Sequence, residues 1–358
     1  MFSKKWCTVI VIGVIVAILA GCGGGSNSDG ANGGAASDKS GGQEVYVYTA
    51  RHYEVDDELF AKFTEETGIK VNVVKGSAEE LIERLKREGS RTEADLFFTV
   101  DGGVLGNAKA AGVLQPVTSD TIEQNVPAQF RDPDNQWIGI STRARVIVYS
   151  KERVSPDELS TYEDLTSEKW RGKVLVRSSS NLYNQSLLAS FIELNGEQAA
   201  EEWARGIVKN FARDPEGSDR DQAKAVVAGI GDVAIMNTYY VGLLAHSADP
   251  EEVKVAESVG VFFPNQETNG THINISGMGV TKHSKRKENA IALIEFMTSK
   301  EAQEMITNAN FEFPVNPEAE KAELLKSWGD FKMQELDFAA LGEHNKKALE
   351  IFNKAGWK

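Results

Sequence analysis

Four of the eight tyrosines in this chain follow apolar segments, where a strand is expected to end in a loop: Tyr53, Tyr183, Tyr239 and Tyr240. A phenolate is a hard anionic oxygen ligand. Because a free phenol has a pKa of about 10, only a strongly Lewis-acidic cation displaces its proton near neutral pH. The four tyrosines therefore make ferric iron the first candidate ligand. Taken alone, Tyr239 and Tyr240 are also compatible with packed or interfacial aromatic residues.

Two arginines could balance the charge of such a site. Three phenolates neutralise Fe³⁺, and a fourth leaves the site negative. Arg143 and Arg145 lie two residues apart in the predicted strand Trp137–Tyr149, a spacing that directs both guanidinium groups to one side. A guanidinium behind the ligands could offset the negative charge. The alternative, that these arginines form surface ion pairs on a strand, stays open at this point.

The N-terminus has the pattern of a lipoprotein signal over residues 1–21. Lys4 and Lys5 precede an apolar run that ends in small residues before Cys22. The run is shorter than the ~20 residues that span a bilayer, so a cleaved signal is favoured over a permanent transmembrane helix. Residues 22–43 are rich in Gly and Ser and predict a flexible tether after a lipidated Cys22. We therefore expect an extracytoplasmic protein, anchored by lipid to a cell membrane on its periplasmic or outer side.

Composition excludes several classes of site. Both cysteines, Cys7 and Cys22, lie in or at the end of the signal, so disulfides, thiolate metal sites and cysteine nucleophiles are excluded from the folded part. The net charge of -14 becomes -16 once Lys4 and Lys5 are removed, which argues against a nucleic-acid partner. Neither a zinc-protease motif nor a serine-hydrolase motif is present, so a lipid-anchored hydrolase is the least favoured alternative.

Predicted strands and helices alternate after the tether, over about 315 residues, which is more than one core usually accommodates. This alternation predicts an α/β fold with a largely parallel sheet. We place lobe 1 approximately at residues 44–143 and 275–320, and lobe 2 at 144–274 and 321–358. Ligands of such folds bind beyond the carboxyl ends of strands, so the cleft between the lobes should hold the tyrosines.

Some elements are predicted with defined ends. Glu44–Thr49 reads as a strand and Asp56–Thr67 as a helix. Ser77 and Glu80 form a capping box that predicts the start of the next helix. A further strand is predicted at Val253–Phe263, and one final amphipathic helix at Phe338–Ala355.

Five further phrases can be compared with known families: Tyr48-Thr-Ala-Arg-His-Tyr53, Ala94-Asp-Leu-Phe-Phe-Thr-Val-Asp101, Trp137-Ile-Gly-Ile-Ser-Thr-Arg-Ala-Arg-Val-Ile-Val-Tyr149, Ser178-Ser-Ser-Asn-Leu-Tyr183 and Asn237-Thr-Tyr-Tyr240. Through these phrases, nearly the whole chain after the tether resembles the iron-binding lipoproteins and periplasmic proteins that feed ABC-type ferric-iron transporters. That resemblance implies a type II periplasmic-binding fold that closes over its metal, an ABC permease as partner and no catalysis.

The resemblance also assigns ligand positions. The paired tyrosines of that family match Tyr239 and Tyr240, and its histidine matches His52. Members that complete the site with a glutamate and a borrowed anion have that glutamate where this chain has Val100. The chain therefore looks like the tyrosine-rich branch, in which residues matching Tyr53 and Tyr183 fill the shell.

Two neighbouring residues bear on the anion. Arg143 matches the arginine that lies near the synergistic anion in anion-using members, but the missing glutamate argues against a carbonate or phosphate requirement here. Asp101 follows Val100 and should point to the other face of its strand, so it is not assigned as a ligand.

The leading prediction is a monomeric, lipid-anchored solute-binding protein that captures Fe³⁺ and hands it to an ABC permease. The same fold could instead bind another small solute, such as an oxyanion or an amine. In that alternative Arg143 and Arg145 would be primary contacts and the tyrosines would form walls. The residues predicted to bind the metal are His52, Tyr53, Tyr183, Tyr239 and Tyr240.

Overall fold

The computed structural model describes residues 43–358, so the predicted signal, Cys22 and the tether up to residue 42 lie outside the described residues. The strands of the described part are β1 Glu44–Thr49, β2 Lys70–Lys75, β3 Leu96–Thr99, β4 Ile138–Ser150, β5 Val174–Leu175, β6 Val233–Asn237, β7 Val259–Phe262, β8 Ile273–Val280 and β9 Phe313–Pro314. Its α-helices are α1 Glu54–Thr67, α2 Ala78–Glu88, α3 Gly102–Ala110, α4 Asp120–Asn125, α5 Leu182–Val208, α6 Asp219–Val227, α7 Thr238–Ala245, α8 Pro250–Ser258, α9 Lys287–Thr298, α10 Lys300–Asn310, α11 Glu323–Ser327, α12 Phe338–Glu343 and α13 Asn345–Ala355.

The strands form two ladders that share β4. In the first ladder, β2, β1 and β3 run parallel, and β8 pairs antiparallel with both β3 and β4. In the second ladder, β4 pairs antiparallel with β6 and β7, and β6 pairs parallel with β5. The change of partner occurs within β4, because residues up to Ala144 pair with β8 and residues from Arg145 pair with β6. The sheet is therefore mixed rather than largely parallel, since β4 and β8 run against their neighbours.

Helices cover the first ladder in the way that the sequence pattern predicts. Leu59 and Phe63 on α1 are fully buried, as are Val45 and Val47 on β1. Burying apolar side chains of this size contributes roughly 1.5–3 kcal/mol each. The predicted capping box at Ser77 is present, because its hydroxyl accepts from the backbone of N3 while the N3 side chain accepts from the backbone of Ser77.

Two predicted elements differ from the structure. The segment expected to be one strand over Val253–Phe263 is the helix α8 followed by the short strand β7. Asp249 caps this helix, and Pro250 occupies its first turn, where a proline is tolerated. The C-terminal segment forms two helices, α12 and α13, which are separated at His344.

The division into lobes at the residues given above stays a prediction, because the described residues 43–358 form one compact unit. Among residues 43–358, no helix is both long and apolar enough to cross a bilayer.

Candidate metal site

All four predicted tyrosines lie at the N-termini of helices. Tyr53 ends the loop that follows β1, as expected, whereas Tyr183, Tyr239 and Tyr240 lie in the first turn of a helix and not in a loop. Tyr53 is the N-cap residue of α1, and Tyr183 is the second residue of α5. Tyr239 and Tyr240 are the second and third residues of α7, which begins directly after β6. The N-terminus of a helix carries the positive end of its dipole and favours negative charge nearby. These positions therefore favour phenolate side chains more than a loop would.

The structure brings the four rings together. The hydroxyl oxygens of Tyr183 and Tyr239 are 3.3 Å apart. The rings of Tyr53 and Tyr239 meet edge to face with centroids 5.9 Å apart, and those of Tyr239 and Tyr240 are 4.1 Å apart. Tyr53, Tyr183 and Tyr239 are buried, and the hydroxyl of Tyr53 has no hydrogen-bond partner among the described residues. The cluster thus gathers phenolic oxygens, one of them unpartnered, in a place largely shielded from water.

A cavity of about 380 Å³ opens onto this cluster. The residues that line it include acidic side chains, Glu54 and Glu58, and a basic one, Arg220. Tyr183 instead lines a smaller, enclosed space beside Arg143 and Arg145. The residues of the larger cavity are His52, Tyr53, Glu54, Val55, Glu58, Arg220, Tyr239, Tyr240, Leu243, Ala309 and Asn310.

The surroundings of the phenols raise their pKa values. Burial, followed by the nearby Tyr183 and Glu312, holds the pKa of Tyr53 well above its usual value, although two arginines lower it. Burial and the neighbouring Tyr183 do the same for the pKa of Tyr239, and burial raises the pKa of Tyr240 to about 12. These three phenols are therefore protonated at neutral pH unless a cation displaces the proton.

Arg143 is buried beside the cluster, with the centre of its guanidinium 5.2 Å from the ring centre of Tyr183. Its Nη1 donates to the Ser276 hydroxyl at 3.3 Å, whereas Nε and Nη2 have no hydrogen-bond partner among the described residues. Burial lowers the pKa of Arg143, but Tyr183, Tyr53 and Glu312 raise it by more, so the guanidinium stays charged. A buried cation with two unused donors favours ionised phenols next to it.

Arg145 has a different role in the structure, although it lies only two residues away. Its Nη1 donates to Asp219 at 2.7 Å and its Nη2 donates to Asn184 at 2.7 Å. Asp219 is fully buried and also pairs with Arg177 at 2.7 Å. Because Asn184 directly follows Tyr183 on α5, the contacts of Arg145 brace the helix that carries this tyrosine.

His52 lies at the mouth of the larger cavity, with its ring centre 4.8 Å from that of Tyr53. The side chain is exposed, yet partial desolvation and the charge of Arg51 lower the pKa of His52. A lower pKa favours the neutral imidazole, which is the form that binds metals. The position is compatible with the predicted ligand role.

The sequence analysis missed a buried ion-pair network under Tyr53. Arg51 donates to both oxygens of Asp56, at 2.9 and 2.8 Å, and to Glu312 at 3.4 Å. Its guanidinium also lies 4.5 Å from the ring centre of Tyr53. Arg51 stands next to His52 in the sequence, but Glu312 is 261 positions away, so no local pattern could have revealed the pair.

Neither Val100 nor Asp101 offers a free carboxylate to the predicted site. Val100, at the position of the missing glutamate, is a buried apolar residue. Asp101 caps α3 and accepts hydrogen bonds from Ser186 and Asn274. In residues 43–358, no group of three or more histidine, cysteine, aspartate or glutamate side chains is arranged to hold a metal ion.

Known proteins resemble this chain over most of its length. Iron uptake protein A1 of Synechocystis is 49% identical over 316 residues, 88% of each chain, and iron uptake protein A2 of the same organism is 44% identical over 88% of this chain and 90% of its own. A Trichodesmium protein (IdiA, FutA), solved in complex with iron and citrate, is 49% identical, with a TM-score of 0.84 over 88% of this chain and 100% of that one. A ferric binding protein of Campylobacter jejuni is 43% identical, with a TM-score of 0.83 over the same shares.

These structures confirm the predicted two-lobed α/β periplasmic-binding fold. The family described as bacterial extracellular solute-binding protein matches residues 92–340. Membership of that family is in line with an extracytoplasmic location and an ABC permease as the general kind of partner. The chain therefore belongs to the family of bacterial extracellular solute-binding proteins.

Proposed function

We propose that this protein captures ferric iron outside the cytoplasm and delivers it to an ABC permease. The observation that carries the proposal is the convergence of four tyrosines from the N-termini of three helices on one cavity and its buried wall. Relatives named as iron uptake proteins and ferric binding proteins support it. The ligands we propose are Tyr53, Tyr183, Tyr239 and Tyr240, with His52 completing the shell.

The chemistry of the site favours a trivalent cation. Phenols whose pKa values are raised by burial stay protonated toward weak Lewis acids, and only a strongly polarising ion such as Fe³⁺ replaces their protons. Once the phenolates form, Arg143 offsets the negative charge that a fourth phenolate leaves. Reduction would favour release, because Fe²⁺ is a poorer partner for phenolate oxygens.

A synergistic anion is not part of the proposal. Val100 offers no carboxylate. The neighbouring Asp101 does not replace it, because its Oδ2 already accepts the hydrogen bonds from Ser186 and Asn274. Its other oxygen, Oδ1, accepts from the backbone of Val104 at the start of α3. Four phenolates and an imidazole complete a shell without a borrowed anion.

The family and the sequence support the proposed cellular setting. A lipid at Cys22 would hold the protein at the membrane surface, where a tether up to residue 43 would let a monomer reach its permease. We propose no catalytic role, because the site has the donors for holding a metal and the hydrolase motifs are missing from the sequence.

A visible absorption titration of the full-length protein in detergent tests the metal site. Bound metal is first stripped, and Fe³⁺ is then added as a weak chelate. We expect a phenolate-to-iron charge-transfer band that saturates at one equivalent and is absent in the Tyr239→Phe/Tyr240→Phe variant. The matched control is Tyr46→Phe/Tyr149→Phe, which also removes two phenols but leaves the cavity residues in place. The absence of a band in the unaltered protein would overturn the proposal.

The unused donors of Arg143 favour one alternative function, the binding of a small oxyanion. The two functions respond differently to Arg143→Gln. An oxyanion bound directly by the guanidinium would no longer bind, whereas Fe³⁺ binding would only weaken, since the phenolates remain. A thermal-shift screen of carbonate, phosphate and sulfate against both proteins, alongside the iron titration, separates the two.

A further inference from the structure

Phe311 has a backbone conformation that is unusual for a bulky side chain. It ends α10 with φ +55°, in the left-handed region. Apart from glycines, two asparagines are the other described residues with positive φ, and asparagine tolerates this region far better than phenylalanine does. Such strain persists only where surrounding contacts hold it.

The contact that holds Phe311 is with α7, the helix that carries Tyr239 and Tyr240. A Cβ added at Gly242 would lie 2.3 Å from Cγ of Phe311, far inside van der Waals contact. One turn further along α7, the ring of His246 stacks on Phe311 with centroids 4.5 Å apart. The phenyl ring therefore occupies a notch in α7 that exists because residue 242 has no side chain.

The two sides of this contact belong to different parts of the fold. α10 packs against α1 and α9, which cover the first ladder, whereas α7 follows β6 of the second ladder. The residues that flank Phe311 reach the metal site, because Asn310 lines the cavity and Glu312 pairs with Arg51 beneath Tyr53. Phe311 thus lies between the part that carries Tyr53 and the part that carries Tyr239.

We infer that Phe311 is a positioning residue for iron capture, an inference that rests on the proposed function. Its ring, packed in the notch at Gly242, fixes α7 against the end of α10 and so sets the separation of Tyr53 from Tyr239 and Tyr240. Because metal ligands must meet within tenths of an ångström, a small displacement of α7 weakens the site without unfolding the protein.

Gly242→Ala tests the inference in the full-length protein. The added methyl group overlaps with the ring and displaces it, and α7 shifts with it. Because α7 carries Tyr239 and Tyr240, we expect iron affinity to be weaker by about tenfold or more. We expect a shifted or weakened charge-transfer band, with affinity measured by competition against a chelator and folding checked by circular dichroism. A second change, Phe311→Gly, removes the ring that we propose to fix α7, so it should also weaken iron affinity. Because both changes break the same contact, the losses in Gly242→Ala/Phe311→Gly should be less than the sum of the two single losses.

Gly206→Ala is the matched control. Gly206 is also helical, and a Cβ there would lie 2.8 Å from Cβ of Thr166, but this contact joins α5 to the neighbouring turn and does not involve α7 or α10. Gly206→Ala should lower thermal stability and leave iron affinity unchanged. Wild-type affinity in Gly242→Ala or in Phe311→Gly, equal losses in Gly206→Ala, or fully additive losses in the double variant would each overturn the positioning role. If the unaltered protein shows no iron band at all, the proposed function fails first, and the inference fails with it.

Discussion

The carboxylate of Asp101 accepts a hydrogen bond of 2.6 Å from the hydroxyl of Ser186. Asp101 caps α3 beyond the end of β3, whereas Ser186 lies on α5, one turn after Tyr183. Both side chains are buried. The hydrogen bond therefore ties the helix that carries one proposed iron ligand to an element that follows the first ladder.

Loss of this hydrogen bond should weaken iron binding as well as lower stability. Ser186→Ala removes one of the donors to Asp101, which costs about 1 kcal/mol of unfolding free energy. Because Tyr183 lies on the same helix, we expect iron affinity to fall several-fold, measured by chelator competition. The control is Ser190→Ala, whose hydroxyl is also buried on α5 but donates to the carbonyl of Leu187 within the helix. Equal affinity losses in the two variants would contradict a specific role for the tie.

Iron binding should release protons and strengthen as the pH rises. The pKa values of Tyr53 and Tyr239 are raised by burial and that of Tyr240 lies at about 12, so these phenols are protonated before binding and ionised after it. Each proton released changes the apparent affinity about tenfold per pH unit below the pKa. Calorimetry in two buffers of different ionisation enthalpy, corrected for the chelator, counts the protons.

Two tyrosine variants test whether the protons released on iron binding come from the cavity phenols. Tyr240→Phe should lower the number released by about one, whereas Tyr149→Phe, on β4 and outside the cavity, should leave it unchanged. An affinity that is independent of pH, after correction for the chelator, would contradict binding through phenolates.

Asp219 should be important for stability. It is fully buried between Arg145 and Arg177, and Asp219→Asn would leave the buried Arg145 without its charged partner. Removing one partner of a buried ion pair costs about 3–5 kcal/mol. Urea unfolding measures the loss. Asp214→Asn is the control, since Asp214 is an exposed residue paired with Lys358 and should cost less than about 1 kcal/mol.

His52 is the proposed ligand whose removal is least disruptive to the fold, because its side chain is exposed. If it coordinates the metal, His52→Ala should weaken iron binding by about one to two orders of magnitude, within the range seen for changes around metal sites. His283→Ala, an exposed histidine away from the cavity, is the control. An unchanged electron paramagnetic resonance spectrum and unchanged affinity in His52→Ala would exclude coordination by this residue.

Local patterns in the sequence predicted much of the fold. The strand Glu44–Thr49 was predicted with its observed bounds, and the capping box at Ser77 marked the start of α2. A strand was predicted at Val253–Phe263, yet the structure has a helix up to Ser258 and a strand only after it. Asp249 and Pro250, a cap followed by a residue suited to a first turn, were the signal that could have corrected this expectation.

The tyrosines that form the cluster could be selected from the sequence, whereas the contacts that support them could not. Tyrosine is rare enough for repeated strand-end positions to stand out, so the four residues could be selected without a structure. The contacts that orient them join residues far apart in the chain, such as Arg51 with Glu312 and Gly242 with Phe311. Spacing rules extend over a few residues, and a tertiary contact of this kind leaves no periodic trace in the sequence.

The sharing of β4 between two ladders has a consequence for how the protein could move. Strand pairing changes at Ala144 and Arg145, so a bend at this point would leave the backbone hydrogen bonds on either side in place. Resistance to a movement of one ladder relative to the other would then come from individual side-chain contacts and not from the hydrogen bonds of the sheet. Single substitutions, in evolution or in design, could therefore change how readily such a protein releases its ligand without changing its fold.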